Sequence, residues 1–257
     1  MSKWNPVQYE KFLKDRTRPA IDLACRLSAL SPKRILDLGC GPGNSTRVLL
    51  NAFPGARIVG ADNSEEMLLK ARERCPETEF VNADAAGDLH ELTEKYDLVF
   101  SNACLQWLPD HRGLLPRLMT LLTEGGTLAV QIPMQREHPV HRILGELVRS
   151  EKWKGRLVPR KYNNLTTEEY FDVLSGFSGD FELWETVYCH RMPDYESIVE
   201  WYRGTGLRGY LEQLSEADGE DFVGDVYAEL EKRYKPQENG EILFRFPRLF
   251  FTATRAR

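Results

Sequence analysis

The octapeptide DLGCGPGN at 37–44 constrains this chain more than any other stretch. It follows an apolar run, RILDL at 34–38, and precedes residues 44–53, whose apolar side chains recur at helical spacing. A strand that passes through glycines straight into a helix opens an α/β sheet, and such sheets bind ligands in the crevice beyond their strand ends. Gly39, Gly41 and Gly43 remove side chains, so that backbone can approach a ligand and take dihedrals other residues resist. A dinucleotide fold begins in a similar way. Its GxGxxG fingerprint would need glycine where Asn44 stands, and Pro42 intervenes, so the hydride-transfer reading is demoted.

Four more short apolar runs follow at 57–61, 79–83, 96–101 and 127–132, separated by amphipathic stretches, which is the pattern of parallel strands joined by helical crossovers. The crossover at 64–74 has Ser64 as its expected N-cap, with Glu65 and Glu66 at the positive helix end. Beyond Pro133 the sequence is helix-rich with clustered aromatics. Two alternating stretches, 181–190 and 241–253, are expected to complete the sheet as a terminal antiparallel pair. Residues 191–240 hold two helical patterns, at 194–201 and from Ser215 onward, and form a candidate lid. The expectation is an α/β, Rossmann-like, mostly parallel seven-stranded sheet with an antiparallel end strand and a helical lid. At 257 residues, with 42% hydrophobic and 28% charged residues, the chain should fold throughout as one catalytic domain with an insertion.

The formal charge of -5 repels phosphate backbones and anionic lipid, so neither nucleic acid nor membrane is an expected partner. Cys25, Cys40, Cys75, Cys104 and Cys189 form no CxxC pair, and an odd number of scattered thiols suits a reducing compartment, with the cytoplasm expected. No apolar stretch approaches the length of a signal h-region or a bilayer span. The oligomeric state stays open, a monomer being compatible with everything above.

Asp62 and Asp84 follow the second and third runs. An adenosine group lying across the strand ends would need acceptors for its ribose hydroxyls and its amine, which these carboxylates could supply. Each alone also reads as an ordinary loop aspartate. Asn63 and Met67 beside the first acid, and Ala85 beside the second, are grouped with the same site, as is Asp37 at the end of the first run. After the fourth run, SNACLQWLPD at 101–110 contributes Asn102, Gln106 and Trp107, the last as an apolar wall beside a sulfonium or simply as core.

With these residues together the chain resembles the class I methyltransferases. WNPxxY at the start, DRTRP at 15–19, WYRGTGLR at 201–208 and ENGEILFRFPRLF at 238–250 are similar to the trans-aconitate 2-methyltransferase family along essentially the whole length. The resemblance implies a class I fold with S-adenosylmethionine as cofactor and methyl transfer to one carboxylate of a planar tricarboxylate. It also implies a division into an N-terminal segment covering the cofactor (1–30), a cofactor-binding core (31–135), the lid (191–240) and a last strand (241–257).

A free carboxylate is already ionised near neutral pH, so this chemistry needs positioning rather than a general base or a metal. His90, His111, His138, His141 and His190 are accordingly read as surface or structural, and the His138/His141 spacing lacks a third metal ligand. A trianion needs arginines, whose planar fork suits carboxylates. Arg208 and Arg248 rank first, beside TGL and the aromatic FPRLF. Arg18 follows, because Pro19 would start a helix whose positive end favours anions. Trp201 is grouped with them, while Arg16, Arg203 and Arg245 are further candidates. Each of these arginines also reads as a solvated charge. Trp4, Tyr9 and Phe12 either dock a short helix on the core or close over the cofactor. The alternatives are a methyltransferase for another small polycarboxylate or other small acceptor, and a cofactor-binding module without turnover.

Overall fold

The computed structural model describes residues 13–87, 89–136 and 138–256. Helix α1 (Leu13–Arg26) leads into β1 (Arg34–Leu38), α2 (Asn44–Ala52), β2 (Arg57–Asp62), α3 (Glu65–Arg74), β3 (Glu79–Asn82) and β4 (Tyr96–Asn102). A short 3-10 helix at Leu105–Trp107 then precedes α4 (His111–Thr120), β5 (Leu122–Pro133), α5 (Pro139–Arg149) and α6 (Thr167–Ser175). The chain ends with β6 (Phe181–Met192), α7 (Tyr195–Arg203), α8 (Arg208–Leu211), α9 (Glu216–Arg233) and β7 (Ile242–Thr254). Ser64 and Ser215 cap α3 and α9 as expected, accepting from the backbone N–H groups of Met67 and Asp218, and Asp194 caps α7 in the same way by accepting from Ser197.

Among the described residues seven strands make one sheet in the order β3-β2-β1-β4-β5-β7-β6. The first five pair in parallel, and β7 runs antiparallel to β5. The central strands are apolar on both faces, with Ile35, Leu36, Leu98, Val99, Phe100, Leu128 and Val130 fully buried, as helices on either side of a parallel sheet require. Strands β1 and β4 are neighbours in space but not in sequence. The chain reverses its direction of travel across the sheet between them, which opens the ligand crevice at their carboxyl ends.

The chain divides into two compact units. One holds Thr17–Pro133, Asn163–Thr186 and the chain from Arg248 onward, which together contain β1 to β5 and the pairing of β5 with β7. The other takes in Met134–Tyr162 and Val187–Pro247, together with Asp15 and Arg16. Its core is aromatic. Trp153, Tyr202, Phe222 and Phe244 are fully buried beside Leu144, Ile198 and Leu230, and α9 packs on α5 and α7. The indole of Trp153 donates to Asp225 at 2.6 Å, so its polar atom is satisfied inside that core.

One expectation is corrected. Pro19 does not start a helix but lies inside α1. A proline's fixed φ suits a helix, and what it forfeits is one backbone hydrogen bond. Arg18 therefore has no helix N-terminus beside it.

Candidate active site

The turn after β1 is built from three glycines with positive φ, at 72° for Gly39, 52° for Gly41 and 83° for Gly43. Their needs differ. A Cβ on Gly39 would stand 2.1 Å from Sγ of Cys104, so the turn can exist only where that position carries no side chain. A Cβ on Gly43 would meet Cα of Ala71 at 3.2 Å, where α2 and α3 approach closely. At Gly41 nothing lies within 4 Å, so its bare face looks onto open space. Gly43 gives α2 no side-chain cap, and the positive end of a helix favours an anion.

Around this turn stand the carboxylates. Asp37 is fully buried, and its Oδ2 accepts from Ser45 Oγ at 2.8 Å and Thr46 Oγ1 at 2.6 Å. Oδ1 finds no partner among the described residues. Burial outweighs the two hydroxyls, and its pKa is pushed up to about 6. Asp62, at the end of β2, ties the turn down by accepting from Gly41 N at 2.9 Å and Ser64 N at 3.0 Å. Each of its oxygens keeps a further lone pair for a ligand hydroxyl. Asp84 accepts from Ala86 N at 3.0 Å in a local turn, with its other oxygen uncommitted to that bond. Asn63 is exposed, Met67 half-buried and Ala85 buried.

At the end of β4, Asn102 has its Oδ1 buried with no partner among the described residues. Gln106 is buried and donates to Ala103 O at 2.6 Å. Trp107 is 51% exposed, so of its two sequence readings the core one falls. The 3-10 helix beneath it is held by His111, whose Nε2 lies 2.8 Å from Leu105 O while Nδ1 meets the hydroxyl of Tyr170. Burial lowers the pKa of His111 and favours the neutral ring those bonds need.

Orphaned acceptors on Asp37 and Asn102, an open face at Gly41 and an uncapped helix start give acceptors for an ammonium and donors for a carboxylate. These residues fit the amino-acid end of S-adenosylmethionine. Sequence reasoning missed two features here: the packing of Cys104 on Gly39, and Gln131 in β5, whose side-chain amide is fully buried and unpartnered among the described residues. Only a strand register could have revealed either.

The arginines are placed differently from one another. Arg248 lies in β7 opposite Pro133 and is buried. Arg208 starts α8, is exposed and pairs with Glu212 at 2.8 Å. Arg18 is likewise exposed and pairs with Asp22 at 2.8 Å. Arg203 pairs with Glu220, and Arg245 is exposed. Trp201 is buried, with the guanidinium of Arg16 5.0 Å from its ring centre and 3.0 Å from its carbonyl. Trp4, Tyr9 and Phe12 lie outside the described residues.

His138 caps α5 through Nδ1 and donates from Nε2 to Arg245 O at 3.0 Å, and His141 meets the Tyr162 hydroxyl at 2.9 Å. Burial, His138 and Arg160 hold His141 well below the usual histidine range. These two rings are therefore spent on structure. His190 is buried as well, while His90 stands in solvent beside Glu91. No group of three or more His, Cys, Asp or Glu among the described residues could hold a metal ion. No described helix is long and apolar enough to cross a membrane.

A family model for a methyltransferase domain matches residues 35–126, from β1 into β5. The trans-aconitate 2-methyltransferase of Acidovorax ebreus (strain TPSY) is 41% identical over 259 residues, covering 100% of this chain and 100% of that protein. The chain belongs to the trans-aconitate 2-methyltransferase family. A second member, from Escherichia coli O7:K1 (strain IAI39 / ExPEC), is 41% identical over 256 residues and covers 99% of both chains. Likeness to the trans-aconitate 2-methyltransferases thus extends past the general domain into the helices of 134–162 and 187–247. Among solved structures, the YcgJ protein of Bacillus subtilis aligns over 93% of this chain and 99% of its own with a TM-score of 0.61. Its 16% identity makes that a likeness of fold alone.

Proposed function

We propose that the protein transfers a methyl group from S-adenosylmethionine to one carboxylate of trans-aconitate, giving the monomethyl ester and S-adenosylhomocysteine. The observation that carries this reading is identity of 41% along the entire length of a trans-aconitate 2-methyltransferase. S-adenosylmethionine supplies a methyl group activated by a sulfonium. What the chain's own residues do is bind, orient and exclude water. Asp37, Asn102 and the turn from Gly39 to Gly43 hold the methionine end. Asp62, braced by two backbone N–H groups, takes the ribose hydroxyls, with Asn63 and Met67 beside it. Asp84 and Ala85 take the adenine, and Trp107 offers an aromatic face on which a cation is favoured.

The acceptor enters already ionised, so no proton has to be removed from it. Arg248 is the arginine whose burial best suits a bidentate carboxylate contact, since such a bond strengthens away from water. Arg208 and Arg18 are exposed, and each pairs with a carboxylate four residues further on. Pairs of that kind are worth little, so either can exchange its partner for an acceptor. The five free cysteines agree with a reducing compartment, and we assign the protein to the cytoplasm, acting on a small molecule rather than on nucleic acid or a membrane.

The test is incubation with methyl-labelled S-adenosylmethionine and a panel of trans-aconitate, cis-aconitate, citrate, isocitrate and a phenol, with the ester identified by mass spectrometry. Selective label in a trans-aconitate monoester is the expected result. Label in a different acid would replace the substrate, and cofactor binding with no transfer to any of them would reduce the protein to a binding module.

A further inference from the structure

Gln131 stands near the carboxyl end of β5, in register with Asn102 of β4 on one side and Phe250 of β7 on the other. Its side chain is fully buried, and neither Oε1 nor Nε2 finds a hydrogen-bond partner among the described residues. A buried amide left unmatched loses its hydrogen bonds to water and gains none in return, which a chain carries only where something else offsets the loss. In an apolar strand flanked by Val130 and Ile132, both fully buried, a leucine or methionine would fit without that cost.

The register says what the amide faces. Residues paired across neighbouring strands project from the same side, so Gln131 shares its side with Asn102, about 4.8 Å away across the ladder. Arg248 pairs with Pro133, two residues along from the Gln131–Phe250 pair, so it projects from that side too. It is a diagonal neighbour of Gln131 at about 7–8 Å, within reach of a long side chain. Arg248 and Gln131 thus project from one side of the sheet near the carboxyl end of β5. No hydrogen bond joins the guanidinium to Oε1 of Gln131, and a carboxylate between the two side chains would accept from Nε2 and from the guanidinium.

We propose that Gln131 is an acceptor-binding residue whose amide, together with the guanidinium of Arg248, holds one carboxylate of the acid substrate. This rests on the reading of the protein as a polycarboxylate methyltransferase, which the experiment below tests separately. The contact is shut off from bulk water, where a hydrogen bond to a charged group is worth most. It also gives the site a means of counting carboxylates: an acid lacking the recognised group leaves the amide unmatched.

Binding is measured by calorimetry on protein saturated with S-adenosylhomocysteine, so that no turnover is needed. The acids are trans-aconitate and the three dicarboxylates that each lack one of its carboxyls: itaconate, mesaconate and glutaconate. Gln131→Met keeps the length and loses the amide. It should weaken trans-aconitate and two of the dicarboxylates by about tenfold or more, and leave the third unchanged because that acid lacks the group Gln131 holds. Affinity for S-adenosylhomocysteine should stay within about twofold of wild type. Gln131→Glu, nearly isosteric and anionic, should weaken the same acids further by repulsion and serves if the methionine variant does not fold. Unchanged acid affinity in these variants, an equal loss for all three dicarboxylates, or no acid binding by the wild type would each overturn the proposal. Gln131-dependent acid binding by a wild type that methylates none of the acids would instead overturn the proposed reaction and leave the binding site standing.

Discussion

Asp37 is a carboxylate cut off from water with one oxygen unmatched, and its pKa is pushed from 3.8 to about 6. A folded-state pKa above the unfolded one means that, between those two values, the folded protein keeps a proton the unfolded chain has lost. The resulting stabilisation is fully present below pH 3.8 and is lost as pH rises through about 6. At about 1.4 kcal/mol per pKa unit, the unliganded protein gives up roughly 3 kcal/mol over that window. Asp37→Asn still accepts from Ser45 and Thr46 and carries no charge to bury. Its stability in chemical denaturation should stay flat where the wild type declines, and exceed wild type by roughly 1–3 kcal/mol near neutral pH. The same variant should bind S-adenosylmethionine at least about tenfold more weakly, because an ammonium loses its anionic partner. A denaturation profile running parallel to wild type across pH would remove the buried charge from this account.

At the scale of the element, the turn between β1 and α2 separates two uses of glycine that look alike in sequence. Gly39→Ala pushes a methyl into Cys104 and should cost about 2 kcal/mol or more, seen as a lower melting temperature and poor soluble yield. Gly41→Ala meets no protein atom, so it should keep the fold within about 1–2 kcal/mol of wild type. Its methyl enters the open face, and cofactor affinity should fall by at least about tenfold; a Gly41→Ala protein that binds cofactor normally would show that the ligand does not lie there. This turn was legible in the sequence because its constraint is local: DLGCGPGN must leave a strand and enter a helix within a few residues. Gln131 was not, since its meaning comes from strands paired far apart in the chain, and within TLAVQI it reads only as a polar break. Pro19 misled for a related reason. A proline tolerated in a helix interior has the same local signature as one that begins a helix.

At the scale of the molecule, the parallel strands and the caps at Ser64 and Ser215 follow from periodicity, but the grouping of segments does not. Residues 134–162 join 187–247 in one unit through packing such as Trp153 on Phe222, with ring centres 5.1 Å apart, which no local pattern announces. The sequence also hides where the chain's end goes. Strand β7 is last in sequence yet lies between β5 and β6, and its pairing with β5 runs from Arg248 to Thr254. Leu249, Phe250 and Phe251 in that stretch are fully or almost fully buried, and Phe250 stacks on Trp184 of β6 at 5.3 Å. A chain ending at Pro247 would bare the backbone edge of β5, strip those aromatics from the core and leave β6 without its neighbour. Unpaired apolar edges recruit other chains, so this truncation should aggregate and show no cooperative melting. A chain ending at Arg255 keeps the bond from Arg255 N to Gly126 O at 2.8 Å and should melt within a few degrees of the full-length protein. Because the interior strand β7 pairs with β5, more than a hundred residues earlier in sequence, the sheet cannot close until distant segments meet. Refolding should accordingly be slow for the chain's length, and a soluble, cooperatively melting protein ending at Pro247 would show that β7 is dispensable to the sheet.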